Sequence, residues 1–378
     1  MKLLLVVTGM PDVNGYGASA FNLQYVRALR QAGLELTIIH LRSVQPGRAL
    51  LSVRLIDDVE CYSISAFLNI PLFKKVVFLD ALYRRLIKRL GTGFEVVHAV
   101  GGGAAAAADI SAAAARMPFV LQFIGSDVNT ELSKFLRMKS FQGAIKRASM
   151  LCFNSAALLR KFSDLYDLSR HPTSVLRRGA PLESLQYRFE FYGEINILFL
   201  GGAPNGNSKG GWTLIQAISE IATHTLPGKL NFWIAGPGSE TLKKLPRASN
   251  PNIEYMFLGE LPRQEVLAAY AKSHIVLIPS LNEGVPNVLY EAMATGNMVI
   301  ASDVGGIPEV LQDGQTGILV EPNSAGKLAG AILKAVGDIN EVRCCAERGR
   351  LRVAEYSYER FIDSYIDLYS AVSTRTKS

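Results

Sequence analysis

Short runs of uninterrupted apolar residues recur along the chain. Most are followed by a glycine-bearing turn and then by a segment with helical spacing. Leu3–Thr8 is the first of these runs, and Glu35–His40, Glu95–Ala99, Phe119–Phe123 and Leu151–Asn154 repeat it. A strand that is apolar on both faces has to be covered on both faces, which is the condition of a parallel sheet wrapped by helices. Ser19–Ala32 has the helical period and stops at Gly33, and an alanine-rich helix runs to about Arg116. After a linker at Tyr187–Glu194 the cycle begins again with Ile195–Leu200, Leu230–Ala235, Ile253–Leu258, Ile275–Pro279, Met298–Ala301 and Gly317–Val320. Two doubly wound, Rossmann-like parallel α/β domains are expected.

The 378 residues exceed one compact core and suit this division. The expected boundaries are 1–187 for an N-terminal Rossmann-like domain, 188–357 for a C-terminal Rossmann-like domain, and 358–378 for a terminal helix that crosses back to the first domain. Phe361, Ile362, Tyr365, Ile366, Leu368, Tyr369 and Val372 give that helix its apolar face. The apolar start is too short for a secretion signal and is expected as a buried first strand. No run reaches the length of a membrane span. Cys61, Cys152, Cys344 and Cys345 form no C-x-x-C pair, and the five histidines show no metal-ligand spacing. Reduced thiols in a cytoplasmic protein, with no metal site, are the simplest expectation.

Chemistry concentrates in Pro279-Ser280-Leu281-Asn282-Glu283-Gly284-Val285-Pro286-Asn287-Val288-Leu289-Tyr290-Glu291, followed by Ala292-Met293-Ala294-Thr295-Gly296. The segment leaves a strand and opens a helix. Glu283 falls in the loop and Glu291 in the first turns. The helix N-terminus presents backbone N–H groups near Asn287 and Val288, which attract anions and hydroxyl oxygens. Two carboxylates beside it can accept hydrogen bonds from neighbouring sugar hydroxyls.

This Glu-x7-Glu segment resembles the retaining glycosyltransferase family 4, of the GT-B fold. Val299–Val310, Asp313–Val320, Leu258-Gly259 and Pro279-Ser280 resemble the same family, most densely from about Ile195 to Ile332. The resemblance implies two Rossmann-like domains facing a central cleft, and a nucleoside diphosphate sugar as donor. It places Glu291 on the ribose hydroxyls and Glu283 on the transferred sugar, with Gly284, Val285, Asn287 and Val288 beside it. Lys209, in Lys209-Gly210-Gly211, resembles the phosphate-binding lysine, and an ammonium there would stabilise the leaving nucleotide. Gly15, Gly17, Gly201, Gly236 and Pro237 are the further donor-binding candidates, in turns where backbone can approach a phosphate. Asp127, in Gly125-Ser126-Asp127-Val128, is the third catalytic candidate; a helix-capping aspartate is the plain alternative.

The chain also departs from the pattern. Ile124 stands where the family usually has a histidine, and Gly201-Gly202-Ala203 lacks the usual arginine, for which Arg177 or Arg178 is a candidate substitute. No Asp-x-Asp occurs, so pyrophosphate binding without metal or other cofactor is expected.

Charge is uneven. Residues 1–185 carry 23 Lys and Arg against 13 Asp and Glu, whereas 186–378 carry 17 against 20. Leu72–Leu90 reads as an amphipathic helix, either a core helix with a solvated basic face or a helix that docks on anionic lipid. A glycan or lipid-linked acceptor follows as an expectation, with the first domain at an anionic membrane surface. Nucleic acid is excluded for want of a recognisable module. Two rivals to a hexosyltransferase stand: a non-catalytic partner subunit and a nucleotide-sugar epimerase.

Overall fold

The structure is a computed structural model of the chain. It describes residues 1–8, 20–43, 51–66, 72–91, 93–177, 179, 189, 191–201, 208–244 and 249–375. The chain divides into two compact units, Met1–Arg177 with Phe361–Ser378, and Arg178–Arg360.

In the first unit the described elements are β1 (Lys2–Val7), α1 (Ala20–Gln31), β2 (Glu35–Ser43), β3 (Leu51–Ile56), β4 (Val59–Ala66), α2 (Leu72–Leu90) and β5 (Val96–Val100). Then come α3 (Ala105–Ala115), β6 (Phe119–Phe123), α4 (Ser126–Asn129), α5 (Leu132–Leu136), α6 (Lys139–Arg147), β7 (Met150–Phe153), α7 (Ala156–Ser163) and β8 (Thr173–Val175). The sheet order is β3-β4-β2-β1-β5-β6-β7-β8. Leu3 to Val7 on the central β1 are wholly buried, because helices cover both faces.

The expectation of a wholly parallel sheet fails at one edge, where β3 pairs antiparallel with β4. Asp57 and Asp58 turn the hairpin with φ of 47° and 62°. Two consecutive left-handed residues match a tight hairpin turn, and aspartate tolerates that conformation better than most residues. The sequence reading passed over this pair.

The helix expected at Leu72–Leu90 is present. In its part with described side chains, Tyr83, Leu86 and Ile87 lie in the hydrophobic core while Arg84, Arg85, Lys88 and Arg89 face solvent. The apolar stripe is therefore spent on folding this unit.

The second unit contains β9 (Glu194–Leu200), α8 (Gly211–Ile221), β10 (Lys229–Ala235), β11 (Ile253–Gly259), α9 (Arg263–Lys272), β12 (Ile275–Ile278) and α10 (Asn287–Ala294). It continues with β13 (Met298–Ser302), α11 (Ile307–Val310), β14 (Gly317–Val320), α12 (Ala325–Val336) and α13 (Ile339–Val353). Its sheet, β11-β10-β9-β12-β13-β14, is parallel at every pairing. The chain runs outward from β9 to β11, returns, and runs outward again from β12 to β14. The order reverses between β9 and β12, and the loops leaving those two strands at their C-terminal ends diverge. Ligands of open α/β sheets bind in such a crevice.

The last helix, α14 (Tyr358–Arg375), belongs with the first unit from Phe361 onward. Its Phe361, Tyr365 and Tyr369 rings pack on Tyr25 of α1 and His98 of β5. The Tyr369 hydroxyl lies 2.8 Å from the Tyr25 hydroxyl and 2.7 Å from His98 Nδ1. Burial drives the His98 pKa down to about 3, so the ring is neutral at physiological pH. Among the described residues no helix is long and apolar enough to cross a membrane.

Candidate active site

The reversal between β9 and β12 brings Lys209 and Glu283 together. Lys209 reaches the crevice because its loop is pinned to the segment after β12. The Leu281 amide donates to the Ser208 carbonyl at 2.9 Å. Gly210, at φ 75°, passes so close to the Pro279 carbonyl that a Cβ would collide with it. Glycine is required there by both conformation and space. The Lys209 ammonium donates to Glu283 Oε1 at 2.5 Å, and the Ser280 hydroxyl donates to the same oxygen at 2.9 Å. The Glu283 side chain is only 11% exposed, so this ion pair is strengthened by partial exclusion of water. The Lys209 side chain remains 45% exposed, so it is accessible to a ligand.

The backbone carrying Glu283 is fixed from the other side by Gly305 and Gly306. Gly305, at φ 57°, sits against the Glu283 and Gly284 carbonyls, where a Cβ would collide with Glu283. The Gly306 amide donates to Gly284 O at 2.6 Å. The Gly-Gly pair of the Val299–Val310 segment therefore holds the loop of the first glutamate in place.

α10 begins at Asn287, after Pro286 at its N-cap. Helix geometry leaves the first amides, those of Asn287 and Val288, without intrahelical acceptors. Both residues are half-buried, whereas Val285 is buried in the core beneath them and anchors the loop. Glu291 is 8% exposed. It accepts from the Tyr270 hydroxyl at 3.0 Å on Oε2 and pairs with Arg263 at 2.7 Å on Oε1. Burial and the nearby Glu291 charge hold the Tyr270 hydroxyl well above its usual pKa, so it stays a donor. Asn297 keeps α9 against α10 by donating to the Tyr270 and Ser273 carbonyls at 2.9 and 2.6 Å.

The sequence reading missed Tyr270 and Arg263, and named Ser280 in the Pro279-Ser280 motif without giving it a role. Arg263 opens α9 as one basic residue among many, and Tyr270 reads as an ordinary core position. Their carboxylate contacts become visible only when the helices are packed.

The other candidates lie at different places. Gly201 caps β9, its amide donating to Ala235 O at 2.9 Å, and packs against Phe199 and Lys209. The Gly236 amide at the end of β10 donates to Gly259 O at 2.7 Å, and Pro237 follows. Asp127 belongs to the first unit and is buried at the second position of α4. Its carboxylate accepts from the amides of Gly102, Ile124, Gly125 and Val128 at 2.8–3.1 Å, which clamps the β5 and β6 turns together. Arg177 is exposed and lies in the first unit. Gly15, Gly17, Gly202 and Arg178 lie outside the described residues.

Two family models match the chain in succession. One is described as Glycosyltransferase Family 4, over 16–184, and the other as Glycosyl transferases group 1, over 194–338. The putative teichuronic acid biosynthesis glycosyltransferase TuaC of Bacillus subtilis is 28% identical over 370 residues, covering 88% of this chain and 89% of that protein. The D-inositol 3-phosphate glycosyltransferase of Corynebacterium aurimucosum is 35% identical over 216 residues, 52% of this chain and 51% of that protein. The chain spans about half the length of that relative. Anabaena HepE, solved in complex with UDP-glucose, superposes with a TM-score of 0.70 at 15% identity, covering 98% of this chain and 100% of that one.

Two Rossmann-like units, with paired acidic and basic groups at a sheet's reversal point, define a chain of the GT-B glycosyltransferase fold. This chain belongs to glycosyltransferase family 4.

Proposed function

We propose that the chain transfers a hexosyl group from a nucleoside diphosphate sugar to an acceptor hydroxyl with retention of anomeric configuration. The observation that carries the reading is the Lys209–Glu283 pair at the β9/β12 crevice, beside the open N-terminus of α10. Glu291 takes the ribose hydroxyls, Glu283 and the amides of Gly284, Val285, Asn287 and Val288 take the sugar, and Lys209 takes the diphosphate. As the glycosidic bond breaks, negative charge moves onto the leaving phosphate. Lys209 and the helix terminus meet that charge in place, with no reorganisation at the moment of reaction. The leaving phosphate oxygen then accepts the acceptor's proton on the same face. Lys209 does the work that a bound metal does elsewhere, so no metal is needed.

UDP is the first nucleotide to test, because HepE was solved with UDP-glucose. TuaC's name supports a role in assembling a surface polysaccharide or glycolipid. We assign the acceptor to the first unit, working in the cytoplasm, with its exposed Arg84, Arg85, Lys88 and Arg89 toward anionic lipid. Incubation with UDP-hexoses and a membrane glycolipid extract tests the reading. Acceptor-dependent release of UDP with an α-linked product is expected, and donor turnover that no acceptor stimulates would contradict it.

Ile124 in place of the family histidine favours one second reading, a non-catalytic partner subunit. That reading predicts weak or absent nucleotide binding and no turnover with any donor.

A further inference from the structure

The second unit has another concave site, at the opposite end of its sheet from Lys209. A groove of about 800 Å3 is lined by Tyr192, Glu194, Asn196, Trp233, Ala268, Ala271, Lys272, Ser273 and His274. Glu194 starts β9 and Gly201 follows its end, so at ~3.3 Å per residue the groove mouth lies roughly 20 Å from the candidate active site.

A doubly wound sheet ordinarily presents apolar residues beneath its helices. This face does not. In register across β9, β10 and β11 stand Glu194 with Lys229, Asn196 with Asn231 and Glu254, and Trp233 with Met256. Lys229 bridges Glu194 and Glu254 at 3.6 and 2.9 Å. Asn231 donates to Glu194 at 2.8 Å and to Asn196 at 3.0 Å, while its own Oδ1 finds no donor among the described residues. Trp233 is half-buried, Met256 is 49% exposed and Tyr192 is 84% exposed. The wall opposite is α9, which offers the small Ala268 and Ala271 with Lys272 at its end.

We infer that this groove binds a neutral oligosaccharide. Indole and phenol rings present flat apolar surface with a polar edge, matching the C–H face and hydroxyl rim of a sugar ring. The Asn196 amide and the Glu194 carboxylate beside them give the groove a polar edge. Glutamates and lysines are balanced here, which removes the selection for an anion that a basic patch would impose. The adjacent Trp233 and Met256 and the small alanines leave a strip suited to several linked sugars. The inference rests on the saccharide chemistry proposed above: a growing glycan would be held here while its end is extended elsewhere.

The test reads binding alone, so its failure is distinguishable from failure of the transferase reading. The chain has two tryptophans, and Trp212→Phe leaves Trp233 as the one indole reporter. Maltohexaose, cellohexaose and N-acetylchitohexaose are titrated against this protein. A saturable change in Trp233 emission is expected with at least one of them. It should be kept in Glu291→Ala and weakened at least tenfold by Tyr192→Ala and by the groove-filling Ala268→Phe, both changes at exposed positions. No response to any of the three sugars, or a response that both groove variants retain, would overturn the proposal. So would a dimer in sedimentation that Ala268→Phe dissolves, since a second copy would then be the occupant.

Discussion

The Lys209 ammonium and Glu283 Oε1 lie 2.5 Å apart across the point where the second sheet reverses its strand order. The lysine is held by a carboxylate that shares its site. The cost of ordering a long flexible side chain is thus met before a diphosphate arrives. Replacing Lys209 with Met is expected to lower turnover by about 100- to 1000-fold, the usual loss for one preorganised charge-stabilising donor. Glu283→Ala should also lower turnover mainly, with little change in nucleotide affinity. Steady-state rates beside direct UDP binding separate the two effects.

Glu291 sits in a different balance. Tyr270 and Arg263 each hold one of its oxygens, so the carboxylate is aimed before any ribose binds. Hydrogen bonds to a charged group contribute about 1.5–3 kcal/mol. Glu291→Ala is therefore expected to weaken nucleotide binding by roughly 10- to 150-fold. Tyr270→Phe keeps the charge and the Arg263 contact and should weaken it less. Calorimetric titration of both variants checks the order of the effects.

Gly305→Ala tests the support of the first glutamate. A methyl group at φ 57° would meet the Glu283 carbonyl, so either the loop shifts or the backbone strains. A lower melting temperature and a loss of turnover larger than the loss of nucleotide affinity are expected. Gly314→Ala makes the control, since Gly314 has a similar φ of 69° but open space around it. It should cost some stability and leave turnover near wild type.

His98 gives the first unit an acid-sensitive core. Its pKa is 6.5 in an ordinary environment and about 3 when folded, because burial against Tyr25, Tyr365 and Tyr369 disfavours the charged ring. Between those values the unfolded chain binds more protons than the folded one, so stability falls as pH falls. Denaturation midpoints measured from pH 7 to pH 4 should decline, and His98→Gln should flatten this part of the decline.

Much of this was legible in sequence, because apolar runs fully covered by helices leave a strong pattern. The strands of the second unit come from local apolar runs, whereas Glu283, Glu291 and Lys209 were picked out by motifs that resemble family 4. The β3–β4 hairpin was passed over because its signal is one Asp57-Asp58 pair. Arg263 and Tyr270 were missed because their roles come from helix packing, which no local period encodes. Asp127 stood out as a possible catalyst, yet four backbone amides occupy its carboxylate, a clamp that only the folded β5 and β6 turns can create.

The central claim is that the second unit grips a nucleoside diphosphate through Glu291 and Lys209. Titration of UDP, ADP and GDP into the wild-type chain, Glu291→Ala and Lys209→Met tests it most directly. At least one nucleotide should bind the wild type, and each variant should weaken that binding, Glu291→Ala by tenfold or more. Equal affinity in all three proteins, or no binding of any of the nucleotides to the wild type, would contradict the account.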